Sequence, residues 1–227
     1  MTRKTNARLA GFMFLFYIVC AFPQMVLFNR VASGEGIAAK LASIAQHVPT
    51  MRWIIVLELI TFVDAVALAV ALYGLTRDED QELAVLALSC RVGEGILNAI
   101  PVSTLGLLWL ATDASKAAAQ DAAAVNALGS LLLQIGTWKA LAAANCFAVG
   151  STVFAFLFLR ARSIPIWLAW VGVLGSLLIV ILLPLQLAGF VGGRVTDLMW
   201  IPIAVFEIVF GFWLLFKVPA PSRAVSR

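Results

Sequence analysis

The chain has 227 residues, 63% hydrophobic and only 12% charged, with a net charge of +4 and a mean hydropathy of +1.01. Soluble domains run near about 45–50% apolar and about 25% charged, so a soluble fold of this length is excluded and lipid must solvate much of the surface. The basic excess is what loop lysines and arginines contribute when they fix membrane topology, and nucleic-acid binding is not expected from it.

Taken in chain order, six apolar segments are long enough to cross about 30 Å at about 1.5 Å per residue. They cover residues 9–28, 53–75, 83–111, 138–159, 164–188 and 198–216. The first follows Arg3, Lys4 and Arg8 and so mimics a signal peptide. It is longer than a signal core of roughly 7–15 residues and has no convincing small-residue cleavage site after it, so it reads as a retained span. Residues 36–47 place Ile37, Leu41 and Ile44 at i, i+4, i+7. That stripe predicts an amphipathic helix on the membrane surface or capping the bundle. Residues 114–135 are alanine-rich and read as an outward extension of the fourth span.

The basic residues sort by side. Arg3, Lys4, Arg8, Arg77, Arg160, Arg162, Lys217, Arg223 and Arg227 fall on one, and Arg30, Lys40, Arg52, Lys116 and Arg194 on the other. The positive-inside rule then puts both termini in the cytoplasm. Trp53, Trp109, Trp167, Trp170, Trp200 and Trp213 suit an interfacial belt, while Trp138 is read as belt or cavity wall. Prolines mark four spans, and Pro101 frees the carbonyl of Leu97 beside Asn98. Spans one and five, and two and six, share short motifs that suggest a parallel duplication.

Charges inside the spans are the informative exceptions, because each costs roughly 2.5–3.5 kcal/mol at bilayer centre on insertion scales. Residues 83–112 contain Arg91, Glu94 and Asn98 at i, i+3, i+7, one face of a helix. Glu58 and Asp64 lie six residues apart on the second span, too far around a helix for one stripe, and must be received by different neighbours. Glu207 sits on the sixth span. On the fourth, Gln134, Trp138, Leu141 and Asn145 have the spacing of an inward face, and Lys139 is assigned to snorkel outward. Glu58, Asp64, Glu94 and Glu207 outnumber Arg91 and Lys139 at membrane depth. The candidate polar network or ligand site is therefore Glu58, Asp64, Arg91, Glu94, Asn98, Asn145 and Glu207.

No catalytic residues are assigned. GxSxG, HExxH and P-loop patterns are absent from the sequence, and no Ser/His pairing appears. With one histidine and three separated cysteines, Cys20, Cys90 and Cys146, no metal site and no cofactor are expected, and the cysteines read as small buried hydrophobes. Partners are expected to be membrane lipids and a small molecule or a proton.

Several motifs resemble the bacterial multi-pass family catalogued as domain of unknown function 4386. They are Arg8-Leu9-Ala10-Gly11; Glu58-Leu59 with Phe62 and Asp64; Ala71-Leu72-Tyr73-Gly74-Leu75; and Leu83-Ala84-Val85-Leu86-Ala87 leading to Arg91 and Glu94. Arg162-Ser163-Ile164-Pro165 with Leu168-Ala169, and Glu207 with Gly211 and Trp213-Leu214-Leu215, complete the set. The resemblance covers nearly the whole chain, least at residues 114–134. It implies a bacterial inner-membrane protein of about six spans and carries over no activity. The expected fold is all-α: a polytopic transmembrane helix bundle, one domain over residues 1–227. Two functions remain open: a small transporter, permease or ligand-binding membrane protein, and a scaffold, sensor or partner subunit in which the charges only lock helices together.

Overall fold

The computed structural model describes residues 2–114 and 122–220. These residues are all-helical. In chain order the helices are α1 (Arg3–Val31), α2 (Gly36–Gln46), α3 (Val48–Thr76), α4 (Gln81–Ala99) and α5 (Val102–Trp109), which runs into a π-helical turn, Leu110–Ala114. Then follow α6 (Ala122–Arg160), α7 (Ile166–Leu187), α8 (Arg194–Leu198) and α9 (Ile201–Phe216). Six helical stretches are long and apolar enough to cross a membrane, the number read from the sequence. The extension of the fourth span exists from Ala122 onward, while residues 115–121 lie outside the described residues.

The third span is not one helix. Pro101 has no amide to donate and its ring clashes with the preceding turn, while Ile100 is pushed out of helical geometry by the proline after it. So α4 stops at Ala99 and α5 starts at Val102, with the Leu105 amide bonded to the Pro101 carbonyl at 2.7 Å. Pro23 and Pro184 sit inside continuous helices, and Pro202 occupies the first turn of α9, where a missing amide costs nothing.

Contacts sort the chain into two units. The first comprises Met1–Tyr17, Val63–Gly95 and Ala142–Arg227. Its centre is Phe210, 1% exposed, with Phe206, Phe158 and Phe14 at ring separations of 5.1, 5.2 and 5.6 Å. Glycines set the helix approaches. At Gly172 an added Cβ would meet the Phe206 ring at 2.6 Å, and at Gly11 it would meet the Gly211 carbonyl oxygen at 2.7 Å. Small residues are how helices approach closely where lipid supplies no hydrophobic drive between them.

At one end of this unit Arg3, Arg77 and Arg160 gather around the acidic turn. Arg160 contacts Glu79 at 3.0 Å and Asp80 at 3.1 Å. Arg3 reaches Asp78 at 3.9 Å and donates to the carbonyls of Pro219 and Ala220 at 2.9 and 2.8 Å. Asp80 also caps α4, accepting the Leu83 amide at 3.1 Å. That amide, and secondarily Arg160, holds the Asp80 carboxyl below its usual range. A lowered acid stabilises the fold above its unfolded value, and the gain is lost as pH falls through the folded value. Asp80→Ala should therefore lower the melting temperature at neutral pH, and the deficit should begin to shrink near about pH 3.9, the ordinary aspartate value, and go on shrinking as pH falls further. A deficit independent of pH in thermal scans from about pH 7 down to about pH 2 would show that the cap's charge contributes nothing.

The second unit comprises Ile18–Phe62 and Ile96–Leu141. Ile44, Met51, Ile54 and Leu107 are fully buried in its core, with Leu41 and Leu110 beside them. The amphipathic stripe of α2 is thus turned into protein: Leu41 and Ile44 are buried and Ile37 packs against the same core.

Candidate functional site

The polar centre of the first unit begins on α4. Its helical spacing puts Arg91 and Glu94 on one face, and both are buried, 1% and 3% exposed. Arg91 Nη1 lies 2.8 Å from Glu94 Oε2. The contact joins charges without hydrogen-bond alignment, and Arg91 Nε has no partner. Glu94 Oε1 accepts a hydrogen bond from the Tyr17 hydroxyl at 3.2 Å. The Phe147 ring centre lies 4.8 Å from the guanidinium carbon, a cation–π contact of about 0.5–2 kcal/mol.

Two further acids, Asp64 and Glu207, stand in the field of Arg91. Asp64 is 3% exposed, and neither carboxylate oxygen has a hydrogen-bond partner. Glu207, half-buried on α9, shares with Arg91 a void of ≈ 10 Å³ walled by Phe14, Phe154, Phe158 and Phe206. That is room for about one water molecule. One guanidinium thus serves three carboxyls.

Glu58 belongs to the second unit. It is 6% exposed, and its Oε1 accepts the Thr104 hydroxyl at 3.0 Å while Oε2 is buried without a partner. Glu58 thus meets Thr104 on α5, while Asp64 stands in the field of Arg91 on α4, the two halves of the third span. Asn98 is half-buried in the second unit and Asn145 half-buried in the first.

The Lys139 ammonium, in an exposed setting, donates to the Ile100 carbonyl at 3.2 Å, on the α4 side of the break. Two expectations need correction. The stripe from Gln134 to Asn145 is not an inward face, since Gln134 is exposed and Trp138 is 55% exposed. The packed face of α6 is instead Ala143, Phe147, Gly150, Phe154 and Phe158. Of the cysteines only Cys20 is buried; Cys90 and Cys146 are half-buried.

The sequence reading missed Tyr17, Phe147 and Thr104. Tyr17 had a usable signal. It is one of two tyrosines and lies mid-span, where a phenol seeks a partner. An apolar cavity of ≈ 310 Å³ beside α2 is lined by Leu41, Leu110, Ala111 and Val125 among others; among the described residues no charged group lines it.

In comparisons with known proteins, the family described as Domain of unknown function (DUF4386) matches residues 9–217. No curated protein matches the chain, and no solved structure does.

Proposed function

The chain belongs to the DUF4386 family, and from that premise we propose that it is a small carrier or permease of a bacterial inner membrane whose polar core takes up and releases protons. Both termini face the cytoplasm in this reading. Its support is the larger group of basic residues on the side that holds Arg3, Arg77 and Arg160.

The observation that carries the reading is Asp64. Arg91 already has Glu94 as its partner, so a structural pair is complete without Asp64 and Glu207. A buried, unpaired carboxylate costs several kcal/mol. Asp64, with neither oxygen hydrogen-bonded, therefore needs a proton or a counter-cation, and the void of ≈ 10 Å³ that Arg91 shares with Glu207 leaves little space for anything larger than water. Drug-sized ligands need about 300–1,000 Å³. In this arrangement the core is closed to solute, and a permease has to open it.

The test uses purified protein in liposomes with an imposed pH gradient and a pool of small cellular solutes. Proton movement is read with a pH dye and solute uptake by mass spectrometry. Wild type should move protons, with or without a solute, and Asp64→Asn should lose at least about tenfold of the rate, equivalent to about 1.4 kcal/mol, while keeping its melting temperature. Rates equal to empty liposomes for protons and every solute would end the reading.

A second reading has its own observation. The Arg91–Glu94–Tyr17 contact joins α4 to α1, as a purely structural lock between helices would.

A further inference from the structure

We propose that Glu58 is a second proton-binding site, and that its proton sets the state of the helix break at Pro101. The break exposes two unlike ends. The last carbonyls of α4 carry partial negative charge and the first amides of α5 partial positive charge. Each end is met by a side chain of complementary charge or hydrogen-bonding type from another helix. The Lys139 ammonium lies on the Ile100 carbonyl at 3.2 Å. Glu58 meets the first turn of α5 through Thr104, at 3.0 Å.

The other oxygen of Glu58 is the unexplained group. It is buried and has no partner. The single hydroxyl proton of Thr104 is already given to Oε1. Thr61, one turn along α3, directs its hydroxyl to the carbonyls of Leu57 and Glu58, both at 2.9 Å. Among the described residues, Lys139 is the charged side chain that acts on Glu58, yet it is bonded to Ile100 instead.

These facts fit a neutral Glu58 carrying its proton on Oε2. A neutral carboxyl does not compete for the ammonium, so Lys139 stays on the break. When the proton leaves Oε2 for water, a carboxylate is created in a poorly solvated place with one cation within its field. A carboxylate attracts an ammonium more strongly than a neutral carbonyl does, and more so where water is scarce. Lys139 then shifts to Glu58 and the Ile100 carbonyl loses its cap. A discontinuous helix is where transport proteins hold ions and move; here the loosening has a defined trigger. The proposal uses no residue of the Asp64 core and stands or falls apart from it.

Hydrogen exchange of the full chain in lipid nanodiscs tests it, with mass-spectrometric readout of residues 97–105 and correction for intrinsic exchange. In wild type these amides should exchange at least ~10-fold faster above the transition pH than below it, reporting local opening. Glu58→Gln should be slow at every pH, and Lys139→Met fast at every pH. Thr104→Val keeps the acid and should displace the transition. Asp64→Asn should leave the transition unchanged. A flat wild-type profile, an unmoved transition in Thr104→Val, or a transition that persists in Glu58→Gln would each overturn the proposal. So would its loss in Asp64→Asn, which would assign the response to the first unit.

Discussion

Replacing Arg91 with alanine is expected to destabilise the protein by about 3–5 kcal/mol, the range for removing one partner of a buried ion pair. Three losses combine. Glu94 Oε2 loses the cation 2.8 Å away, the Phe147 face loses its guanidinium, and Asp64 and Glu207 lose the positive charge acting on both. Adding Glu94→Gln removes one of the stranded charges, so the double variant should recover a large part of the deficit. Reversible denaturation in mixed micelles gives the four stabilities of the cycle, and their non-additivity is the coupling of the pair. Additive effects within about 0.5 kcal/mol would mean that the contact contributes nothing. The same double variant separates the two functional readings. A structural lock predicts that a refolded Arg91→Ala, Glu94→Gln protein behaves like wild type in liposomes. A proton-handling core predicts that it folds and moves no protons, because the field that organises Asp64 and Glu207 is gone.

The long helices were legible because a helix able to cross a membrane needs about 20 apolar residues, and each intruding charge is conspicuous. The same uniformity hid the inward faces. On α6 exposed and packed positions are equally apolar, so polarity does not mark the core. Gln134 and Trp138 looked inward by spacing yet are exposed, while the packed face uses Ala143, Gly150 and three phenylalanines. The site followed the same division. Arg91 with Glu94 was readable from an i, i+3 spacing within one helix. The partners of Tyr17 and Thr104 were not, because they lie 77 and 46 residues away in sequence, although a mid-span tyrosine did signal that Tyr17 needs one. Pro101 announced a break, but not that Lys139 would cover it, because the Ile100 carbonyl that receives the ammonium lies 39 residues away in sequence.

The close approach of α1 and α9 is the other point where a small change should have a large effect. A Cβ added at Gly11 would lie 2.7 Å from the Gly211 carbonyl oxygen and 2.8 Å from the Leu215 amide nitrogen. Both are backbone atoms, so no side chain can swing aside and the helices must part. Gly11→Ala is expected to cost about 1–3 kcal/mol, as overpacking does, and Gly11→Leu more. Gly192→Ala, where an added Cβ meets nothing within 4 Å, should leave stability unchanged in the same denaturation assay. An unaffected Gly11→Leu would mean that α1 does not pack here. The consequence reaches the polar core through geometry alone. Gly211 is one turn from Glu207 on α9, and Phe14, one turn from Gly11 on α1, walls the void that Glu207 shares with Arg91. Parting the helices widens that void and moves Glu207 relative to the guanidinium. Gly11→Ala, the milder variant, should therefore change proton movement in liposomes without altering any charged group. If stability falls while proton movement keeps its wild-type rate, α9 does not position Glu207 for the function proposed.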